Sequence, residues 1–220
     1  PLPWYFRVVD LPGEGRVLLA QCMGTSDQDF DGPLFRVNYS DGHLSKGAVL
    51  TTPWPISLYG FIPFATAQGE TLYAYLSLND TLQVLNARGQ VLWESMETYG
   101  GSETYFETGA GSRAGERRRV PIKAHLESGG DGEILVTVNL GARSMTGIKK
   151  FVQGSVVALK WDGNSLREVW HTQLQSGYLA DFRQMATEGE HANLLSAMKV
   201  TSGDFWGEDS GLSKLVVFGL

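Results

Sequence analysis

One layout recurs along the chain: an apolar strand, a turn carrying glycine, then a second strand. It is written three times, at residues 34–48 (LFRVNYSDGHLSKGA), 82–95 (LQVLNARGQVLWES) and 156–172 (VVALKWDGNSLREVWHT). Each copy follows another apolar strand, at 17–21, 72–78 and 134–138, and before that an approach segment, at 6–10, 58–64 and 119–124. A fourth unit opens at 178–182 (YLADF) and closes with a third strand at 215–220 (LVVFGL). Measured on the second strand, the period is about 55–60 residues. Asp41-Gly42, Arg88-Gly89 and Asp162-Gly163 sit between alternating apolar runs, where glycine supplies the positive φ of a hairpin turn. A repeated four-strand meander buries its faces only against neighbouring copies, so the fold expected is an all-β propeller of about four blades. A β-sandwich ranks second, because it predicts no such repeat. The blades fall at about residues 1–56, 57–107, 117–177 and 178–220, one propeller region in all. Residues 184–199 conflict with this. They are rich in helix formers, yet the repeat puts a loop and then a strand at 193–200 there. The repeat is followed.

Composition narrows the function. The 27 glycines and 8 prolines in 220 residues fit many turns. The net charge of −6 argues against a general nucleic-acid binder, which needs excess Lys and Arg to meet phosphates. No apolar run reaches the roughly 20 residues of a transmembrane helix. Cys22 is the sole cysteine, so neither an intrachain disulfide nor a cysteine-based zinc site is expected. On an apolar strand it reads as a small buried hydrophobe. The sequence starts PLPW, with no charged-then-apolar leader, and a processed or excised chain is the expectation.

Catalytic signatures are sparse. Residues 109–114 (GAGSRA) fit a loose dinucleotide pattern, but the basic stretch that follows offers no helix N-terminus for a pyrophosphate, so a surface loop is read there. Arg117, Arg118 and Arg119 form a candidate anion or acidic-partner patch, with a solvated loop as the plainer reading. His43, His125, His171 and His191 are scattered over different presumed blades and assemble no triad. Trp93 and Trp170 occupy equivalent repeat positions and read as blade packing. Trp54, Tyr99, Tyr105 and Trp206 fall in or near inter-strand loops, where aromatic rings could line a sugar or peptide site. Asp204, Glu208 and Asp209 form an acidic group beside Trp206 that reads as a solvated loop.

Residues 3–12 (PWYFRVVDLP), 92–107 (LWESMETYGGSETYFE), 154–182 and 214–220 (KLVVFGL) resemble bacterial FG-GAP/VCBS-type repeat proteins, and within them an exported, Geobacter-like group. The resemblance implies an integrin-α-like β-propeller of around seven blades, of which this chain matches the C-terminal part. It also implies an exported or cell-envelope setting, periplasmic, outer-membrane-associated or extracellular. Members carry calcium loops patterned Asp-x-Asp/Asn-x-Asp-Gly-x-x-Glu. Residues 127–133 (ESGGDGE) keep Glu127, Asp131 and Gly132, but Gly129 stands at the middle ligand position and two residues are missing before Glu133. A glycine-rich turn is the reading preferred, and no cofactor is expected, with calcium at Glu127 and Asp131 the alternative. The function expected is non-enzymatic binding or scaffolding. Alternatives are a carbohydrate-binding or carbohydrate-active propeller, and a fragment that completes a propeller with another chain. An open arc of blades leaves two faces and a ladder edge unpaired, so a protein partner or self-association is expected to cover residues 6–10 and 215–220.

Overall fold

In the computed structural model the residues described are 2–25, 28–53, 56–108, 118–129, 132–141, 151–186, 193–201 and 212–219. Among these there is no α-helix, and four small antiparallel sheets are arranged like the blades of a four-bladed propeller. Blade 1 is β1 (Trp4–Leu11), β2 (Gly15–Met23), β3 (Phe30–Ser40) and β4 (His43–Val49) in simple meander order. Blade 2 is β5 (Phe61–Ala65), β6 (Thr71–Leu76), β7 (Thr81–Leu85) and β8 (Val91–Thr98). A two-stranded ribbon, β9 (Tyr105–Thr108) and β10 (Arg118–Pro121), comes next. Blade 3 is β11 (Leu126–Ser128), β12 (Glu133–Leu140), β13 (Gln153–Trp161) and β14 (Leu166–His171), and β15 (Gln175–Ser176) pairs with β13. Blade 4 is β16 (Tyr178–Ala186), β17 (Asn193–Thr201) and β18 (Leu212–Gly219).

Local chemistry sets the hairpins. Asp41 (φ 52°) and Gly42 (φ 80°) both adopt the left-handed region between paired Ser40 and His43. That is the type I′ turn, whose twist matches the strands it joins. At Asp162-Gly163 the aspartate side chain accepts bonds from the backbone N–H groups of Asn164 (2.9 Å) and Ser165 (2.8 Å), closing the turn from within.

Three apolar seams hold the blades together. Tyr5, Leu19 and Leu34 of blade 1 pack on Leu58, Phe61 and Tyr75 of blade 2. Ile62, Ala74 and Val84 of blade 2 pack on Leu126, Val136 and Val157 of blade 3. Leu135, Val156 and Ala158 of blade 3 pack on Leu179, Phe182 and Leu195 of blade 4. Blades 2 and 3 therefore bury both faces, and their middle strands are continuously buried: β6 from Leu72 to Leu76, and β13 from Gly154 to Leu159. Among the described residues no such cluster joins blade 4 to blade 1.

Two expectations shift. The first strand of blade 3 is the three-residue β11, not the approach segment 119–124, whose first residues pair with β9 instead. The boundary drawn at residue 107 thus falls inside β9, and the one at 117 just before β10, which assigns the two strands of one ribbon to different blades. Cys22 is half-buried rather than enclosed, because it faces the side of blade 1 that carries no neighbouring blade. The strand expected over 193–200 is present as β17.

Candidate functional site

The polar groups that converge in this fold do so at the first strands of the blades. Arg7, on β1, reaches furthest across the blades. Its Nη1 donates to the carbonyls of Leu58 (3.1 Å) and Phe61 (2.7 Å), and its Nη2 to the carbonyl of Leu126 (3.2 Å). One guanidinium so joins blades 1, 2 and 3, and it lies over the Phe61 ring at 5.4 Å. Burial lowers its pKa to about 10, partly offset by Tyr59, and it stays charged at neutral pH.

A second set bridges blades 3 and 4. Nδ1 of His125, just before β11, is 2.7 Å from a carboxylate oxygen of Asp181 on β16. The same oxygen accepts the Phe182 amide at 2.9 Å, and the His125 and Phe182 rings lie 5.2 Å apart. Glu127 on β11 accepts Arg183 Nη1 at 2.9 Å and the Gln184 amide at 3.2 Å. Each blade thus contributes one acid and one base, with the partners crossed. Burial pushes the Asp181 carboxyl up, but its hydrogen bonds to His125 and Phe182 and the nearby positive charges outweigh this and hold it below the ordinary aspartate value. The Asp181 contact is the sole hydrogen bond of the His125 ring among the described residues.

Other seams are polar as well. Lys123 spans to blade 2, donating to the carbonyl of Ser77 (2.7 Å) and to Asp80 (3.1 Å). Buried Asn139 donates to the carbonyls of Gly101 (2.9 Å) and Leu179 (3.0 Å) and accepts the Leu179 amide (3.0 Å). Gly100 continues this lock with a parallel bridge to Val138.

The residues singled out in sequence scatter. Glu127 turns to blade 4 rather than into the loop that follows it, and that loop closes through the Gly129 amide on the Glu133 carbonyl (2.8 Å). Asp131, Trp54, Trp206 and Arg117 lie outside the described residues, as do His191, Asp204, Glu208, Asp209 and residues 109–114. Tyr99 packs against the seam of blades 2 and 3, and burial raises its hydroxyl pKa. Tyr105 and Arg119 do meet: the guanidinium lies 4.4 Å over the ring and 3.6 Å from Glu107. Arg118 is in register with Thr108 of the same ribbon. Trp93 and Trp170 pack into the seams of blades 2/3 and 3/4. His43 is exposed in its turn. Among the described residues no three His, Cys, Asp or Glu side chains converge as a metal centre requires. No helix there is long and apolar enough to cross a membrane.

Sequence reading missed Arg7, His125, Asp181 and Arg183. A charged residue at position 7, between the apolar runs 4–6 (WYF) and 8–9 (VV), was the one local signal. Comparison with known proteins finds no matching family model, no matching curated protein and no matching solved structure.

Proposed function

We propose that this chain is a non-enzymatic binding or scaffolding module that works by having the outer faces of its terminal blades covered by protein. One observation carries the reading. The inner seams are packed, whereas the outer sides of blades 1 and 4 hold apolar side chains in solvent: Val8 is 52% and Val49 53% exposed, and Leu215 is 72% and Val217 51% exposed. Exposed apolar side chains on the outer face of a sheet favour its use as an interaction surface. The polar groups at the centre support the same view, since they are engaged with one another and act as locks between blades. The resemblance to FG-GAP/VCBS-type repeat proteins supports an exported or cell-envelope setting for such a module.

Native mass spectrometry and sedimentation velocity of the purified chain test this. An oligomer or a stoichiometric complex is the expected result, dissociated by Val8→Lys together with Val217→Lys. A soluble monomer that binds nothing, with both faces in water, overturns it.

A further inference from the structure

In blades 2 and 3, cross-strand rows run outward from the first strand and end on a tryptophan that packs toward the next blade. In blade 2 the row is Ile62–Ala74–Val84–Trp93. In blade 3 it is Glu127–Leu135–Ala158–Trp170. Blade 4 begins the corresponding row with Asp181–Met198–Leu215. There it stops: among the described residues nothing pairs with the outer edge of β18 over residues 213–219. Met198 and Leu215, the two residues such a tryptophan would cover, are 43% and 72% exposed.

Soluble proteins blunt exposed edges with charge, proline or a bulge. Residues 215–219 (LVVFG) have neither charge nor proline, and β18 runs in unbroken register with β17 from Gly219 to Leu212. The edge therefore has the form of one built to be paired. Its single charge is Lys214, which is exposed on the edge strand itself. An added strand meets it best with a carboxylate directly opposite.

We propose that the free edge of β18 takes up an extended peptide of a partner protein, antiparallel, as the fourth strand of blade 4, through a Trp-Glu pair that sets tryptophan opposite Leu215 and glutamate opposite Lys214. The chain holds its own template. In β8, Trp93 stands opposite Val84 and Glu94 opposite Gln83, the same direction and spacing that Leu215 and Lys214 require. Backbone pairing supplies the affinity and the two side chains the selectivity. This deepens the binding reading above and rests on it.

The test uses the full chain and a fluorescein-labelled peptide of the β8 sequence, VLWESMET, titrated by fluorescence anisotropy at concentrations where sedimentation shows a monomer. Saturable binding is expected, weakened at least about tenfold by alanine in place of the peptide tryptophan. Lys214→Glu in the chain is expected to weaken the native peptide about threefold, and a peptide with lysine in place of glutamate is expected to restore it. The restored pair shows that the variant is folded. Absence of saturable binding, or binding indifferent to both changes, overturns the proposal. So does self-association that Lys214→Glu abolishes, because the occupant is then a second copy. If the peptide fails while native material is an oligomer or complex, the strand site falls and the broader binding reading stands.

Discussion

Nδ1 of His125 lies 2.7 Å from a carboxylate oxygen of Asp181, tying the first strand region of blade 3 to that of blade 4. The folded state holds the Asp181 carboxyl below its ordinary value, so folding favours the charged form. A depressed folded pKa adds stability above the unfolded aspartate pKa of about 3.9 and loses it as pH falls through the lower folded value. Asp181→Asn is therefore expected to be less stable than the native chain at pH 7, and the gap is expected to close as pH drops below about 4. The side chain is half exposed, so solvent screening limits the effect to about 0.5–1 kcal/mol. Urea unfolding at pH 7 and pH 3 measures it, and a gap that widens in acid contradicts the account.

Arg7 is a larger lever. Replacing it by Met keeps most of the stem but leaves three carbonyl acceptors in three places without their donor. A buried acceptor left unsatisfied costs about 1–3 kcal/mol. Arg7→Met is expected to lose about 3 kcal/mol or more. Arg7→Lys is expected to recover less than half, because an ammonium lacks the fork that spans Leu58, Phe61 and Leu126 at once. Equilibrium urea unfolding of both variants decides it. Equal stability for Lys and Arg would remove the reason given for this residue.

How much of this was readable in sequence depends on range. Turns such as Asp41-Gly42 and the alternating strands are local, and they appear where the periodicity placed them. Trp93 and Trp170 were placed because the repeat itself aligns them. The central contacts are not local. Arg7 reaches residues 51, 54 and 119 positions away, and His125 meets Asp181 56 positions away. Finding them needs the identity of each blade's first strand. In blade 3 that strand is three residues long, and the approach segment read in its place supplies half of a separate ribbon. Cys22 misled for a related reason. An apolar strand predicts burial only where a neighbouring blade covers that face, and blade 1 has such a neighbour on one side.

Thr137 gives a prediction of opposite sign. Its side chain is 1% exposed, and its hydroxyl oxygen has no hydrogen-bond partner among the described residues. A buried hydroxyl without a partner forfeits its hydration and gains nothing in return. Thr137→Val keeps the shape and the strand preference on β12. The variant is expected to gain about 0.5–1 kcal/mol, read as a higher urea midpoint with an unchanged slope. A loss of stability would show that the hydroxyl has a partner after all.

Asn139 tests whether the seam of blades 3 and 4 depends on a specific amide. Its Nδ2 donates to the carbonyls of Gly101 and Leu179, and its Oδ1 accepts the Leu179 amide, so every bond needs an amide in one orientation. Asn139→Asp puts a carboxylate oxygen against two carbonyl oxygens in a buried site. At neutral pH this is expected to cost about 3–5 kcal/mol, the range for an uncompensated buried charge. Burial and the facing carbonyls raise the new carboxyl's folded pKa above its unfolded value. A raised acid pKa makes the variant's deficit largest at high pH, and the deficit shrinks as pH falls, because the protonated acid can donate one of the two lost bonds. Asn139→Leu, which cannot titrate, is expected to lose about 2–4 kcal/mol with no recovery in acid. Unfolding of both variants at pH 8 and pH 5 separates the cases: recovery by the aspartate variant alone supports the amide lock, and parallel behaviour of the two excludes it.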